Sequence, residues 1–129
     1  MAEAFTKVNL GAVEDSATAC GPDTGFEARF ATKPLDCAGT GLALERLGPG
    51  RRAPFAHRHD AAEEVYVVLR GSGRMKLDDE IVELGALDAI RVAPRVTRQF
   101  EAGPEGIEVL ALGARHEKDG EIIQDWWTD

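Results

Sequence analysis

The sequence predicts an all-β fold of antiparallel strands, either a sandwich or a barrel. After residue 25 the 129-residue chain divides into short runs with strand character, separated by Gly, Pro and Asp clusters at spacings of about 8 to 12 residues. No long segment with helical periodicity interrupts these runs. Short, half-buried strands need an opposing sheet to cover their apolar faces, which favours a two-layered or closed architecture.

The predicted strands are joined by turns of recognisable chemistry. Gly71-Ser72-Gly73 is expected to provide positive φ between two runs, and Asp78-Asp79-Glu80 a short acidic reversal, so that successive runs pair antiparallel. The N-terminal 25 residues have two interpretations: an edge strand around Phe5 to Leu10, or a loop across the barrel. The predicted strands are 26–32, 40–47, 53–59, 63–70, 74–78, 81–84, 88–93, 96–101 and 107–114.

The composition is that of one soluble domain. With 43% hydrophobic and 29% charged residues, the chain can bury a single core. No run approaches the ~18 apolar residues of a membrane span, and the first residues carry acids where a secretory signal has an apolar core. A formal charge of −8 disfavours nucleic acid or an anionic membrane as partner, because either would be repelled. We therefore expect a cytoplasmic protein.

Two cysteines, Cys20 and Cys37, are too few for a disulfide framework and lack zinc-binding spacing. We expect ordinary thiols in a reducing compartment.

One group of residues carries the chemistry of a metal site. His57 and His59 stand two apart on a predicted strand, so their imidazoles project from the same face and can bind one cation together. Glu64 opens the next run, after a reversal at Asp60 to Glu63. Its carboxylate can complete a set of two histidines and one carboxylate with open positions for a ligand. An acid that begins a buried strand needs a partner or a metal, or it stays protonated.

The spacing around these residues resembles the first motif of the cupin superfamily, with one extra residue between the glycine and the first histidine. The matching elements are Gly50, His57-Arg58-His59, Glu64 and Gly71, within an alignment from about Gly48 to Phe100. The resemblance implies a jelly-roll barrel, frequently a dimer, with a divalent metal held by two His, one Glu and a further His from a second motif.

Glu63 also lies within the spacing that the first motif allows. The six-residue interval between Glu64 and Gly71 favours Glu64, because that glycine fits the turn closing the strand. Glu63 is then a solvated loop acid.

The second motif departs from the family's pattern. Aligning DAIRVAPRVTRQF with its counterpart places Leu87 and Arg95 at usual glycines, Arg98 at the metal-binding histidine and Ala102 at the asparagine, while Pro94 persists. Arginine cannot deprotonate. Its charge ~5 Å from a dication costs on the order of 6 to 7 kcal/mol at an effective dielectric constant of ~20.

Two hypotheses for the site therefore stay open. In the first, His57, His59 and Glu64 hold Zn, Mn, Fe or Ni, and Arg98 binds the carboxylate or enolate oxygen of a small anionic substrate. In the second, Arg98 pairs with Glu64, no metal binds, and the barrel holds an organic ligand or nothing. No motif for an organic cofactor, catalytic base or nucleophile is present.

Strand parity predicts the walls of a pocket around the site. Phe55 has the parity of the two histidines, Tyr66 and Val68 that of Glu64, and Phe100 that of Arg98. The alternative is that these residues are barrel core, although Tyr66 could offer its hydroxyl to a ligand.

The C-terminal segment is acidic and contains a tryptophan pair near its end. His116, in this segment, is expected to be solvent-exposed. Trp126 and Trp127 would rarely both be left in solvent, so we predict that at least one packs on the barrel or on a partner subunit.

These observations predict one domain over residues 1–129, with an N-terminal extension (1–25), a barrel (about 40–114) and an acidic tail (115–129). The resemblance implies a homodimer. Three functions are open: a metal-assisted isomerase, decarboxylase or dioxygenase acting on a small anionic substrate, a metal-free binding or regulatory protein, and a structural or interaction protein.

Overall fold

Eight strands form one curled, antiparallel sheet in the computed structural model, which describes residues 4–21, 23–115 and 118–129. The predicted all-β jelly-roll class is confirmed. Among the described residues, no helix has the length and apolar character needed to cross a bilayer. The strands are β1 (Phe26–Phe30), β2 (Thr40–Leu47), β3 (Ala56–His59), β4 (Glu64–Leu77), β5 (Glu80–Gly85), β6 (Ala89–Val92), β7 (Arg98–Ala114) and β8 (Gly120–Ile123).

The sheet order places β7 at the centre of the fold. One path runs β1-β2-β7-β3-β8, while β4 pairs with β5, β6 and β7. Because β7 is long, its first half pairs with β3 and its second half with β2, and β4 follows it along both halves. The curled sheet thereby encloses the core and a cavity beside it.

The predicted turn at Gly71-Ser72-Gly73 is wrong, because β4 continues through it. The register between β4 and β7 shifts at Gly71, where φ is +81°. A Cβ atom on Gly71 would overlap the carbonyl oxygen of Gly106, which shows how closely the two backbones approach. Gly71 on β4 and Gly106 on β7 therefore lie at a bend in two long strands and not at a reversal. The predicted strands 96–101 and 107–114 likewise form one strand, β7.

The acidic reversal at Asp78-Asp79-Glu80 is confirmed. Leu77 pairs with Glu80 across a tight hairpin, and Asp78 adopts the positive φ of +51° that this turn requires.

The N-terminal segment lies across the barrel instead of adding an edge strand. It forms two short 3₁₀ helices, Leu10–Ala12 and Ser16–Cys20. The Asp15 carboxylate accepts hydrogen bonds from the backbone N–H groups of Ala17 and Ala28, which attaches the segment to β1. The loop interpretation therefore agrees with the structure, and Phe5 is exposed. Cys20 and Cys37 are free thiols.

The acidic tail joins the sheet and packs on its outer surface. Its strand β8 pairs with β3, and Trp127 is buried at 5% exposure. The Arg52 guanidinium lies 4.1 Å from the Trp127 ring centroid and donates to the Trp127 carbonyl oxygen at 2.6 Å. The prediction that a tryptophan packs on the barrel is confirmed. His116 lies outside the described residues.

Candidate metal and ligand site

The structure brings His57, His59 and Glu64 together at one end of the cavity. Glu64 Oε1 lies 3.0 Å from His59 Nε2 and 3.4 Å from His57 Nε2. One donor atom from each residue can be chosen so that all three lie within 4.8 Å of one another. The histidines share a face of β3, as the two-residue spacing requires.

The strand that carries Glu64 is not paired with β3. The expected antiparallel pairing of successive runs is wrong here, because β3 pairs with β7 and β8 while β4 pairs with β5, β6 and β7. The loop between them is exposed at Asp60, Ala61 and Glu63, and Glu64 reaches the histidines from a strand that pairs elsewhere in the curled sheet. Closure of the sheet, and not a hairpin, assembles the group.

Asp119 supports the group from behind His59. Its Oδ2 atom lies 3.4 Å from His59 Nδ1, and its carboxylate accepts hydrogen bonds from the N–H groups of Asp60, Ala61 and Ala62. At this distance Nδ1 makes no hydrogen bond with a described residue. If a cation took the Nε2 lone pair, the ring proton would lie on Nδ1, where Asp119 is the nearby acceptor. Sequence reasoning missed Asp119, since it lies in a tail whose many acids carry no local signal.

Glu64 is held in its ionised form. Burial alone would raise the pKa of this carboxyl, but hydrogen bonds with His57, His59 and Tyr66 hold the pKa well below its usual range. The Tyr66 hydroxyl donates to Glu64 Oε1 and lies 3.3 Å from His57 Nε2. Burial raises the pKa of Tyr66 well above its ordinary value, so the phenol stays protonated and remains a donor.

Arg98 is fully buried directly opposite His57, where the sequence alignment places a missing metal ligand. Its Nη1 donates to the carbonyl oxygens of Pro94 and Val96 at 3.1 and 2.9 Å. Its Nη2 lies 3.7 Å from Glu64 Oε1, which is too long for a hydrogen bond. Among the described residues, Nε and Nη2 have no hydrogen-bond partner. A buried guanidinium with two free donors is typical of an anion-binding position.

The group opens into a cavity of about 840 Å³. This volume lies in the range of sites for small organic molecules, ~300 to 1,000 Å³. Phe55 and Phe100 line the cavity, whereas Tyr66 and Val68 are absent from its described lining and pack in the core. Tyr66 reaches the site through its hydroxyl alone. The N-terminal segment closes part of the mouth through Val13, Ala17 and Cys20.

Glu45 is a second acid in the cavity that sequence reasoning missed. It lies on β2 with the parity of the buried residues Ala43 and Leu47, so it faces inward. Burial, together with the negative charge of Glu64, raises the pKa of Glu45 to about 7. The sequence could have indicated this position, because Glu45 is an acid at a position of β2 that alternates with buried apolar residues.

The donor set fits a divalent transition metal. Two imidazole nitrogens and one carboxylate oxygen form the facial triad known for such ions, with positions left for a substrate. The carboxylate behind His59 is the supporting contact that metal-bound histidines usually have. Arg98 opposes a cation, so a bound metal leaves excess positive charge that favours an anionic ligand.

Comparisons with known proteins agree on the type of domain. Residues 43–112 match the family model described as Cupin domain. A cupin protein from Bacteroides fragilis has a similar structure, with a TM-score of 0.72 at 24% identity over 91% of this chain and 89% of that one. The polyketide cyclase RemF from Streptomyces resistomycificus has a TM-score of 0.72 at 19% identity, over 96% and 87%. Identities this low show the fold alone.

One curated relative is similar in sequence over part of the chain. It is the Uncharacterized protein MJ1618 of Methanocaldococcus jannaschii, 33% identical over 57 residues. These residues make up 44% of this chain and 46% of the relative, so the match spans less than half of either protein.

Proposed function

This chain belongs to the cupin domain family, and on that premise we propose that it is a metal-assisted enzyme acting on a small anionic substrate inside the barrel. His57, His59 and Glu64 are the proposed ligands of a divalent Zn, Mn, Fe or Ni ion. The observation that carries the proposal is Arg98, a fully buried guanidinium with two free donors beside this group. Such a donor pair matches a carboxylate or enolate oxygen.

The roles of the residues follow from their positions. When bound, a divalent metal supplies Lewis-acid polarisation of a substrate oxygen. Arg98 holds the acidic group and orients the substrate, while Tyr66 fixes the Glu64 carboxylate through its hydroxyl. Asp119 orients His59, and the apolar walls exclude water. This arrangement suits isomerisation, decarboxylation or oxygenation next to a carboxylate.

Metal retention tests the first half of the proposal. Wild-type protein exposed to mixed divalent metals and then desalted is expected to retain about one metal per chain by elemental analysis. His57→Ala should lose it. Arg58→Ala is the matched control, because Arg58 lies between the two histidines and pairs outside the site with Glu121. Retention by His57→Ala equal to wild type would overturn the proposed ligand set.

A metal-free binding protein is the second candidate, favoured by the proximity of Arg98 to Glu64. In that case Arg98 neutralises Glu64 and the barrel binds an organic ligand without a cation. Wild-type protein would then retain no metal, and chelation would leave its melting temperature unchanged. We also propose, from the resemblance alone, a cytoplasmic homodimer, which light scattering and cell fractionation test.

A further inference from the structure

Two side chains of opposite charge line the cavity. Neither has an oppositely charged partner within hydrogen-bond distance among the described residues. One is Arg98, whose Nε and Nη2 are free of hydrogen bonds to described residues. The other is Glu45, whose carboxylate makes neither a hydrogen bond nor an ion pair within the described parts of the chain. Arg98 is fully buried, and a buried polar group without a partner costs free energy. Glu45 is partly exposed and lines the cavity. The fold does not use either group fully, so a ligand is their natural partner.

Glu45 and the triad, beside which Arg98 lies, occupy different levels of the barrel. Across the sheet, Glu64 is level with Gly113 and Gly41. Glu45 lies four residues beyond Gly41 on β2, which is about 13 Å along an extended strand. Its neighbours in register are Ala28 and Val109, both apolar. Glu45 is therefore displaced along the cavity from the triad and is surrounded by apolar wall.

Aromatic side chains line the cavity that holds both charges. Phe26 and Phe55 meet edge to face, with ring centroids 6.3 Å apart, and Phe100 packs edge to face against Tyr66 at 5.1 Å. Such walls favour a flat apolar body.

We propose that the ligand is a ring-sized, apolar carboxylic acid with a hydroxyl group at the end opposite its carboxylate. The inference rests on the proposed function for the carboxylate end, where Arg98 receives the acid beside the triad. At the other end, Glu45 hydrogen-bonds the hydroxyl. A hydroxyl suits this position because it donates to an ionised carboxylate and accepts from a protonated one. With its pKa raised to about 7, Glu45 presents both forms near neutral pH.

Three matched probes test the inference by calorimetric titration: para-hydroxyphenylpropanoate, phenylpropanoate, which lacks the hydroxyl, and para-ethylphenol, which lacks the carboxylate. Wild-type protein is expected to bind the first about ten-fold more tightly than the second, as a hydrogen bond to a charged group predicts. Glu45→Leu should reduce this preference to within about two-fold, and Glu45→Gln should retain part of it. Glu83→Leu, an exposed acid on β5, is the control and should behave as wild type.

Arg98→Met tests the opposite end of the ligand. This variant should weaken binding of both acids by about the same factor, on the order of ten-fold or more, and leave para-ethylphenol unaffected. Absence of binding by wild-type protein, equal affinities for the two acids, or a hydroxyl preference that survives in Glu45→Leu would each overturn the inference.

Elemental analysis of the same samples separates this inference from the proposed function. Metal retention without hydroxyl preference means that the inference alone fails. A preference that depends on Glu45 in protein that retains no metal means that the metal-assisted function fails and the ligand class stands.

Discussion

The Arg98 guanidinium lies 3.7 Å from the Glu64 carboxylate, on the strand position opposite His57. By the resemblance, this fixed positive charge stands where the second motif of the family has a metal-binding histidine. The position of Arg98 bears on both hypotheses for the site, because its positive charge opposes a cation and attracts an anionic ligand.

Arg98→His is expected to strengthen metal binding at the site. The substitution removes a repulsive charge and supplies a fourth ligand, which is the third nitrogen donor, so Zn²⁺ affinity should rise at least about ten-fold, equivalent to ~1.4 kcal/mol. Competition with a chromophoric chelator measures the change. Arg91→His, at an exposed ion pair with Glu63, controls for an added surface histidine. Unchanged affinity in Arg98→His would mean that position 98 does not face the metal.

Asp119→Ala is expected to affect both stability and metal binding. The variant leaves the backbone N–H groups of Ala61 and Ala62 without their acceptor, whereas the Asp60 N–H keeps the backbone carbonyl oxygen of residue 119. The free energy of unfolding should fall by about 3 kcal/mol. The variant also removes the carboxylate behind His59, so metal affinity should fall about ten-fold. Urea denaturation and chelator competition measure the two effects. Glu105→Ala, at an exposed residue, should change neither quantity.

Glu45 should make the metal-free protein less stable as the pH rises. Its folded pKa of about 7 lies above the ordinary value of 4.5, so between these values the folded state binds a proton that the unfolded chain has released. The Glu45 contribution to the free energy of unfolding therefore falls through this window, by about 3 kcal/mol in total. Urea denaturation at several pH values, compared with Glu45→Gln, isolates it. Parallel curves for the two proteins would contradict the prediction.

The two adjacent tryptophans of the C-terminal segment should differ in their effect on stability. Trp127 is buried against Arg52, whereas Trp126 is partly exposed and lies near Lys76. Trp127→Ala is expected to lower the free energy of unfolding by about 3 kcal/mol, and Trp126→Ala by less than about 1 kcal/mol. Thermal and urea unfolding of the matched pair provide the comparison. Equal losses would show that the burial of Trp127 does not stabilise the fold.

Local periodicity accounts for what could be predicted about the fold. Short runs separated by Gly and Asp residues predicted an all-β protein. The acidic segment at Asp78 predicted a reversal, and Asp78 has the positive φ that this turn needs. Gly71 and Gly73 were predicted to form a turn because a turn and a β-bulge both favour residues without a Cβ atom. What distinguishes them is the approach of β7, which no local pattern encodes.

For the site, too, local sequence patterns determined some features and the tertiary structure decided the others. The sequence by itself determined that His57 and His59 share a face, that Glu64 begins a buried strand, and that an arginine replaces a histidine in the second motif, because these depend on spacing along one strand or on aligned positions. Only the tertiary structure decided that Glu64 reaches the histidines across the barrel, that Asp119 lies behind His59, and that Glu45 shares their cavity. These contacts depend on sheet closure and on long-range register, which join residues whose separation along the chain carries no signal.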